Sequence, residues 1–266
     1  MRTKLSKLEK IIEDMGSLIV AYSGGVDSTF LIKFAKDVVD NDVLAVTARS
    51  PIHSRAEYEE AKKTAGLLGV RHITIRSAEL NIPKFVTNNP RRCYYCKKAL
   101  FTRLKEIAAK RGIPWVTDGT NFDDSSDFRP GIKAMQELGI RSPLKEAGLT
   151  KEEIRAISKK MGLVTWNNPP STCLATRFPY GDRITKKKLK MVESAESYLH
   201  SIGIKKVRAR HHGDIVRIEL GKEEINLFAE PGFRKQVVSA FKKLGYTYIT
   251  VDLEGYRTGS MNEVLK

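Results

Sequence analysis

The sequence predicts an α/β fold, with a parallel sheet flanked by helices and a small α+β domain behind it. Strand and helix patterns alternate over roughly the first 165 residues, which is typical of parallel sheets. A glycine-rich turn follows the first apolar strand. The alternation ends at a loop rich in proline and polar residues, 162–182. We therefore expect one domain over residues 1–170 and a smaller one over 171–266.

The elements of the first domain follow from apolar periodicity and from helix-ending glycines. Residues 5–15 carry apolar side chains at helical spacing, and later helical patterns end at Gly69 and Gly112, which suit helix C-caps. Strands are predicted at 17–22, 43–48, 71–77 and 114–120, and further helices at 30–39, 55–69 and 96–112. Ligands of such sheets bind beyond the carboxyl ends of the strands.

The second domain has a different order of elements. A lysine-rich helix is predicted near 184–201, followed by two short strands separated by Gly213 and Asp214. A helix near 230–244 and a strand at 248–254 complete it. This segment is too short for a second nucleotide-binding fold, so we expect it to serve substrate binding or oligomerisation. Its exposed-looking strands favour a homo-oligomer.

Composition limits the classes of partner. The 266 residues include 47 Lys and Arg against 31 Asp and Glu, a net charge of +16. This excess fits a polyanionic partner such as tRNA, a nucleotide or a phosphorylated metabolite, but equally a lysine-rich surface. No apolar run is long enough to cross a bilayer, and the charged N-terminus is unlike a signal peptide. We expect a cytoplasmic protein without a membrane partner.

The strongest local motif is SGGVDS at 23–28, placed between a strand and a helix. Its glycines let the backbone turn sharply, while hydroxyls and free helix amides point at one space, a cradle for anions. The lysine of a Walker P-loop is absent. The motif resembles the PP-loop of the ATP pyrophosphatases (adenine nucleotide alpha hydrolase-like proteins), which implies ATP cleavage between the α and β phosphates. The predicted nucleotide residues here are Ser23, Gly24, Gly25, Val26, Asp27, Ser28 and Thr47.

A second polar segment, 118–124, follows the fourth predicted strand. Its carboxylates lie on the side of the sheet where ATP is expected, and oxygen ligands are what Mg²⁺ requires. We predict that Asp118 and Gly119 belong to the nucleotide site and that Asp123 and Asp124 organise Mg²⁺.

The three cysteines are Cys93, Cys96 and Cys173. An odd number in a cytosolic chain argues against a disulfide framework. Structural zinc would need a fourth ligand, and no histidine has a finger-like spacing to the cysteines. Three thiolates suit a [4Fe–4S] cluster with one iron left open, which is able to hold an extra sulfide. Redox or persulfide chemistry at the CxxC pair is a third alternative.

Motifs along nearly the whole chain resemble the LarE family of ATP-dependent sulfur transferases, which act in assembly of the nickel-pincer cofactor. They are SGGVDST, RRCYYCK, DGTNFDD, DFRPG, STCLATRFPYGDRIT, VRARHHGDIVRIE and GYRTGSMNE. The resemblance implies adenylation of a carboxylate of pyridinium-3,5-biscarboxylic acid mononucleotide, followed by replacement of oxygen with sulfur.

The sulfur source differs within that family. Some members sacrifice the sulfur of one cysteine, at the position of Cys173, and lack the CxxC. This chain has Cys93 and Cys96 and so resembles the three-cysteine subgroup, in which a cluster carries the sulfide.

Substrate contacts are predicted from the chemistry of the implied substrate, whose phosphate and carboxylates call for guanidinium groups. Arg208 and Arg210 alternate on a strand and match the family's phosphate-binding pair. Arg177 lies four residues after Cys173 and is a third candidate.

Two other functions remain open at this point. One is a tRNA thiolase with the same chemistry, which the net charge favours and the C-terminal motifs disfavour. The other is a non-catalytic zinc or iron–sulfur scaffold with a vestigial nucleotide fold, which pyrophosphate release would exclude.

Overall fold

The computed structural model describes residues 1–126, 130–169 and 172–265. The chain forms two compact units, Met1–Ile82 with Arg91–Ser171, and Pro83–Pro90 with Thr172–Lys266. Residues 127–129, which begin the DFRPG motif, and residue 171, which begins STCLATRFPYGDRIT, lie outside the described residues.

The first unit contains the predicted parallel sheet, and the predicted fold class is confirmed. Its strands are β1 (Leu18–Ala21), β2 (Val43–Arg49), β3 (Arg71–Arg76) and β4 (Trp115–Thr117). They lie side by side in the order β3-β2-β1-β4, and every pair is parallel. All carboxyl ends therefore meet at one edge of the sheet, the edge at which the SGGVDS turn begins.

Helices cover both faces of this sheet. They are α1 (Arg2–Met15), α2 (Val26–Val39), α3 (Arg55–Leu67), α5 (Arg92–Arg111), α6 (Pro130–Glu137), α7 (Pro143–Glu146) and α8 (Lys151–Lys160). Successive strand residues point to opposite faces, so Leu18 and Val20 join one apolar cluster while Ile19 joins the other. Because both faces of the sheet are buried, the sequences of β1 and β2 are continuous apolar runs. Helices α6, α7 and α8 were not predicted, because their apolar patterns are short.

The second unit is built on a three-stranded sheet of β5 (Val207–His212), β6 (Ile215–Leu220) and β7 (Tyr248–Val251). Strands β5 and β6 form an antiparallel hairpin, and β7 pairs with β6 in parallel through α10 (Pro231–Leu244). Helices α9 (Lys186–Ser201) and α10 pack on one sheet face. The other face carries the charged residues of β5 and β6.

A short segment of the first half of the sequence belongs to this second unit. Residues 83–90, which include α4 (Pro83–Val86), pack with it, whereas the sequence pattern predicted them to belong to the first domain. The buried Asn88 donates from Nδ2 to the Phe178 and Pro179 carbonyl oxygens, at 3.1 and 2.5 Å, and its own carbonyl accepts from Gly181. The chain therefore leaves the first unit after Ile82 and returns to it at Arg91, two residues before Cys93.

Candidate active site

The phosphate loop connects β1 to the first turn of α2. Gly24 has φ +79°, and a Cβ built on it would lie 2.7 Å from the Cβ of Ala61, so both the backbone conformation and the space require glycine. Gly25 is the extended N-cap residue of α2. The free amide groups of the first helical turn therefore point beyond the carboxyl end of β1, where an anion is stabilised.

Hydroxyl groups hold the loop in this shape. The Ser23 and Ser28 Oγ atoms are 3.1 Å apart, and Ser28 Oγ also accepts from the Ser23 amide and donates to the Gly25 carbonyl. The amide of Gly25 donates to Ser23 Oγ. Val26 begins α2 with its side chain buried in the core. The predicted loop residues are thus brought together in one closed turn.

Asp27 is the acidic residue of this turn. Its Oδ2 forms an ion pair with Lys151, whereas its Oδ1 is buried and accepts no hydrogen bond from any described residue. Burial raises the pKa of the Asp27 carboxyl, the ion pair with Lys151 opposes that rise, and the nearby charge of Asp124 adds to it. The neighbouring carboxylates of Asp27 and Asp124 offer the oxygen ligands that Mg²⁺ prefers.

The segment after β4 lies against the phosphate loop. A Cβ built on Gly119 would be 2.9 Å from the Ser28 amide nitrogen. Asp118 accepts from the Ser142 hydroxyl at 2.7 Å and from the Thr120 hydroxyl at 2.5 Å. These contacts fix the close approach of this segment to the loop.

Asp123 and Asp124 also have hydrogen bonds within the protein. Asp123 Oδ2 accepts from the Lys151 amide at 2.7 Å and so caps the start of α8, while Asp124 Oδ2 accepts from the Asn121 amide. Lys151 therefore contacts both segments: its side chain pairs with Asp27, and its amide donates to Asp123. Lys151 was not singled out from the sequence, because a lysine at a helix start carries no signal of its own.

Thr47 supports the turn from the neighbouring strand. Its hydroxyl donates to the Tyr22 carbonyl at 3.0 Å and accepts from Nε2 of His72, 2.8 Å away. Because the Thr47 hydroxyl donates its proton to the Tyr22 carbonyl, it can only accept from His72, and Nε2 of that ring therefore carries the proton. Thr47 was predicted as a nucleotide residue; in the structure its buried hydroxyl joins β2 and β3 to the residue that precedes the loop.

The cysteines are distributed between the two units. Cys93 and Cys96 lie three residues apart in the first turns of α5, and such residues are neighbours on a helix surface. Cys173 is the N-cap residue of a 3₁₀ turn, Leu174–Arg177, in the second unit. All three side chains are of intermediate exposure. Within the described ranges, no three His, Cys, Asp or Glu residues form a group able to hold a metal ion.

Arg177 lies inside the second unit. Its guanidinium forms a bidentate ion pair with Glu196, with Nε–Oε1 at 2.8 Å and Nη2–Oε2 at 2.9 Å. The side chain of Arg177 is only 4% exposed. The sequence suggested a substrate contact for this arginine, and it gave no sign of Glu196, which lies 19 residues away on α9.

Arg208 and Arg210 point to the charged sheet face as predicted from their alternation. Nη2 of Arg210 contacts Glu219 at 2.6 Å and Ser260 at 3.0 Å. Arg208 is half-buried, and its guanidinium lies over the ring of Tyr256, 5.2 Å from the centroid. Burial, and then the charge of nearby Arg177, lowers the pKa of Arg208. An anion placed here would relieve that concentration of positive charge.

Comparison with known proteins places the chain in a family. No protein-family model matches it. It is 41% identical over 265 residues to the uncharacterized protein slr1717 of Synechocystis, covering 100% of this chain and 99% of the relative. It is 39% identical over 266 residues to the pyridinium-3,5-bisthiocarboxylic acid mononucleotide synthase of Lactiplantibacillus plantarum, covering 100% and 96% of the two chains.

A more distant relative supports the nucleotide fold. The chain is 25% identical over 227 residues to a glutamine-hydrolyzing GMP synthase of Phaeosphaeria nodorum, covering 73% of this chain and 41% of that protein. No helix in the described part of the chain has the length and apolar character needed to span a bilayer. The full-length identity and the formed phosphate loop together show that the chain belongs to the LarE family of PP-loop, ATP-dependent sulfur transferases.

Proposed function

We propose that this protein uses ATP to adenylate a carboxylate of pyridinium-3,5-biscarboxylic acid mononucleotide and then exchanges an oxygen of that carboxylate for sulfur. The observation that carries the proposal is the 39% identity, over the whole chain, to a synthase named for the bisthiocarboxylic acid product. The turn between β1 and α2, with the donors that ATP phosphates require, supports the first half of the reaction.

In the adenylation step, a carboxylate oxygen of the substrate attacks the α-phosphorus of ATP and pyrophosphate leaves. The free amides at the start of α2 and the hydroxyls of Ser23 and Ser28 are suited to hold the phosphates. Asp124, predicted from the sequence to organise Mg²⁺, and Asp27 would hold that ion, which would neutralise charge on the departing pyrophosphate. Asp123, the other predicted residue, accepts a hydrogen bond from the Lys151 amide. Positioning and charge neutralisation supply most of the rate of such a transfer.

In the sulfur step, a sulfide attacks the acyl carbon, AMP departs with the former carboxylate oxygen, and a thiocarboxylate remains. We propose that Cys93, Cys96 and Cys173 hold a [4Fe–4S] cluster, which would supply a transferable sulfide at its open iron. Cys93 and Cys96, as neighbours on α5, fit two of its ligands. The third ligand, Cys173, belongs to the second unit.

The second unit is proposed to bind the phosphate of the substrate. Arg208 contributes a guanidinium that is half-buried beside Arg177 and Arg210. Recognition of a phosphate by guanidinium is strong because the hydrogen bonds are charge-assisted. Arg210 would act mainly by its contacts to Glu219 and Ser260, which fix the strand that carries Arg208.

The experiment that tests this proposal uses protein purified without oxygen. Pyrophosphate release and the mass of the pyridinium product are followed with ATP, Mg²⁺ and the biscarboxylic mononucleotide, with a tRNA pool as the alternative acceptor. Substrate-dependent pyrophosphate release together with a thiocarboxylate product is expected. Thiolated tRNA without a thiocarboxylate would instead identify a tRNA thiolase, and no pyrophosphate with either acceptor would indicate a scaffold.

The source of sulfur is tested on the same preparation. We expect about four irons per chain, with acid-labile sulfide, and loss of both in Cys93→Ala and in Cys173→Ala. Protein without iron that still forms one thiocarboxylate per chain would overturn the cluster. Mass spectrometry would then be expected to find dehydroalanine in place of Cys173.

A further inference from the structure

Arg177 uses its whole guanidinium on contacts within the second unit. Nε and Nη2 pair with the two carboxylate oxygens of Glu196, while Nη1 lies 2.7 Å from Thr172 Oγ1 and 2.8 Å from Thr176 Oγ1. Nη1 also lies 3.2 Å from the Thr172 carbonyl oxygen and 3.4 Å from that of Cys173. One side chain therefore holds the backbone on both sides of the Cys173 thiol.

The turn that carries Cys173 is closed on itself as well. The amide of Thr176 donates to the Cys173 carbonyl at 3.0 Å, and the Thr176 hydroxyl donates to the same carbonyl at 2.9 Å. The Cys173 carbonyl thus receives donors from Thr176 and Arg177. This geometry sets the direction in which the Cys173 side chain leaves the turn.

Glu196 connects this turn to the arginine strand. Its Oε1 accepts from Arg177 Nε and from the amide of Ala209 at 3.0 Å, and Ala209 lies between Arg208 and Arg210 on β5. The turn is further tied to β5 by Arg210 Nη1, which donates to the Thr176 carbonyl at 3.1 Å. A displacement of the Arg177–Glu196 pair would therefore move the Cys173 turn relative to β5.

We propose that Arg177 and Glu196 are a positioning pair that orients Cys173 for sulfur transfer, and that Arg177 is not a contact of the substrate. A guanidinium at 4% exposure with all three nitrogens engaged presents no donor to an incoming phosphate. An ion pair with two parallel hydrogen bonds adds geometric precision as well as energy. The inference rests on the proposed function, because it assigns the purpose of this orientation to the sulfur step.

The test separates adenylation from sulfur transfer. In Arg177→Lys, which keeps the charge and loses the fork, and in Glu196→Gln, thiocarboxylate formation is expected to fall about 10–100-fold. Substrate-dependent pyrophosphate exchange and the KM for the pyridinium substrate are expected to stay within about twofold of wild type, since a positioning residue acts on the later step. Arg183→Lys, at an exposed arginine of the same segment, and Glu223→Gln, at an exposed glutamate, are the matched controls.

A milder pair of variants guards against a general loss of folding. Thr172→Val and Thr176→Val remove acceptors of Arg177 Nη1 and leave its ion pair with Glu196 intact. They are expected to lower sulfur transfer in the same direction by a smaller factor. The double variant Arg177→Lys with Glu196→Gln should be no worse than either single variant, because the two residues act as one unit.

A second readout does not depend on the reaction. Alkylation of Cys173 by iodoacetamide is measured by peptide mass mapping in a Cys93→Ser, Cys96→Ser background, up to the pH at which the rate no longer rises. At that plateau all thiols are ionised, so the rate reports access to the sulfur. We expect a rate several-fold higher in Arg177→Lys and Glu196→Gln than in Arg183→Lys, because the turn loses its anchor.

The outcomes are distinct. A raised KM for the substrate with unchanged turnover in Arg177→Lys would make Arg177 a substrate contact and overturn the positioning role. Unchanged alkylation and unchanged sulfur transfer in Glu196→Gln would overturn it as well. If wild-type protein forms no thiocarboxylate, the proposed function fails, and the alkylation rates still decide whether the pair orients Cys173.

Discussion

Gly119 lies so close to the first turn of α2 that a Cβ built on it would be 2.9 Å from the Ser28 amide nitrogen and 3.1 Å from its Cα. The neighbouring atoms are backbone and cannot rotate away. Gly119 does not require a left-handed backbone, so the space alone excludes a side chain here. The position couples the segment after β4 to the phosphate loop.

Gly119→Ala is therefore expected to displace the start of α2 and to reduce pyrophosphate exchange about tenfold or more, since small displacements of positioned groups are costly. The measurement is substrate-dependent ATP–pyrophosphate exchange together with the melting temperature. Gly66→Ala is the control, because a Cβ there has nothing within 4 Å. Exchange at the wild-type rate in Gly119→Ala would show that the two segments move independently.

Asp27 combines a structural cost with a proposed role in catalysis. Burial raises its pKa, so the folded state binds its proton more tightly than the unfolded state. Stability therefore falls as pH rises from the ordinary pKa of 3.8 through the raised value. At neutral pH the ionised Asp27 carboxylate makes the fold less stable than a neutral side chain would.

Asp27→Asn should thus raise the melting temperature in the absence of Mg²⁺ and ATP, while nearly abolishing pyrophosphate release. Asp37→Asn on the same helix, which loses a surface pair with Lys33, should change neither. Thermal melts at pH 7 and pyrophosphate assays check both statements. A lower melting temperature for Asp27→Asn would mean that the ion pair with Lys151 outweighs burial.

The sequence predicted the first unit well because its signals are local. Continuous apolar runs predict strands β1 and β2, which are buried on both faces. The glycine pair predicts the turn in which the backbone at position 24 requires glycine. Segment 83–90 shows the limit of this reasoning. Its packing on the second unit depends on Asn88 and carbonyls about 90 residues away, and no pattern within the segment indicates that contact.

The site arginines illustrate the same limit. Alternation on β5 placed Arg208 and Arg210 on one face, but it does not distinguish their surroundings. Arg210 is buried against Glu219 while Arg208 remains half-buried. Ser260 of the C-terminal segment reaches Arg210, and the Glu219 side chain pairs with Arg210 although the strand register sets it opposite Arg208. Both are tertiary facts.

Glu219 is fully buried and holds three partners of the charged face. It contacts Arg210 at 2.6 Å, Arg217 at 3.2 Å and the Ser260 hydroxyl at 2.8 Å. Removing one partner of a buried ion pair leaves the other charge uncompensated, at a cost of about 3–5 kcal/mol. Glu219→Gln is expected to lower the free energy of unfolding by roughly that amount, measured by urea denaturation.

Glu223→Gln, at an exposed glutamate of the same unit, should change stability by less than about 0.5 kcal/mol. If Glu219→Gln changes it as little, the charged face is held together by its neutral contacts. In that case the positions of Arg208 and Arg210 would not depend on the buried carboxylate.

His211 makes the second unit sensitive to acid. The ring is buried between Phe178 and Tyr246, its Nδ1 lies 3.3 Å from the Tyr246 hydroxyl, and its Nε2 has no hydrogen-bond partner among the described residues. Burial, and then the charge of Lys188, lowers the pKa of His211 below its ordinary 6.5. The unfolded chain therefore binds this proton more readily than the folded one.

Stability from a neutral, buried histidine is fully present above the ordinary pKa and is lost as pH falls from 6.5 through the lowered value. The loss is at most about 1.4 kcal/mol per pH unit for one group. His211→Phe keeps the ring and cannot be protonated, so its unfolding free energy between pH 7.5 and pH 5 should fall less steeply than that of wild type. His212, whose pKa burial also lowers, should retain part of the slope. An identical slope in His211→Phe and wild type would mean that the folded protein accommodates the protonated His211 ring.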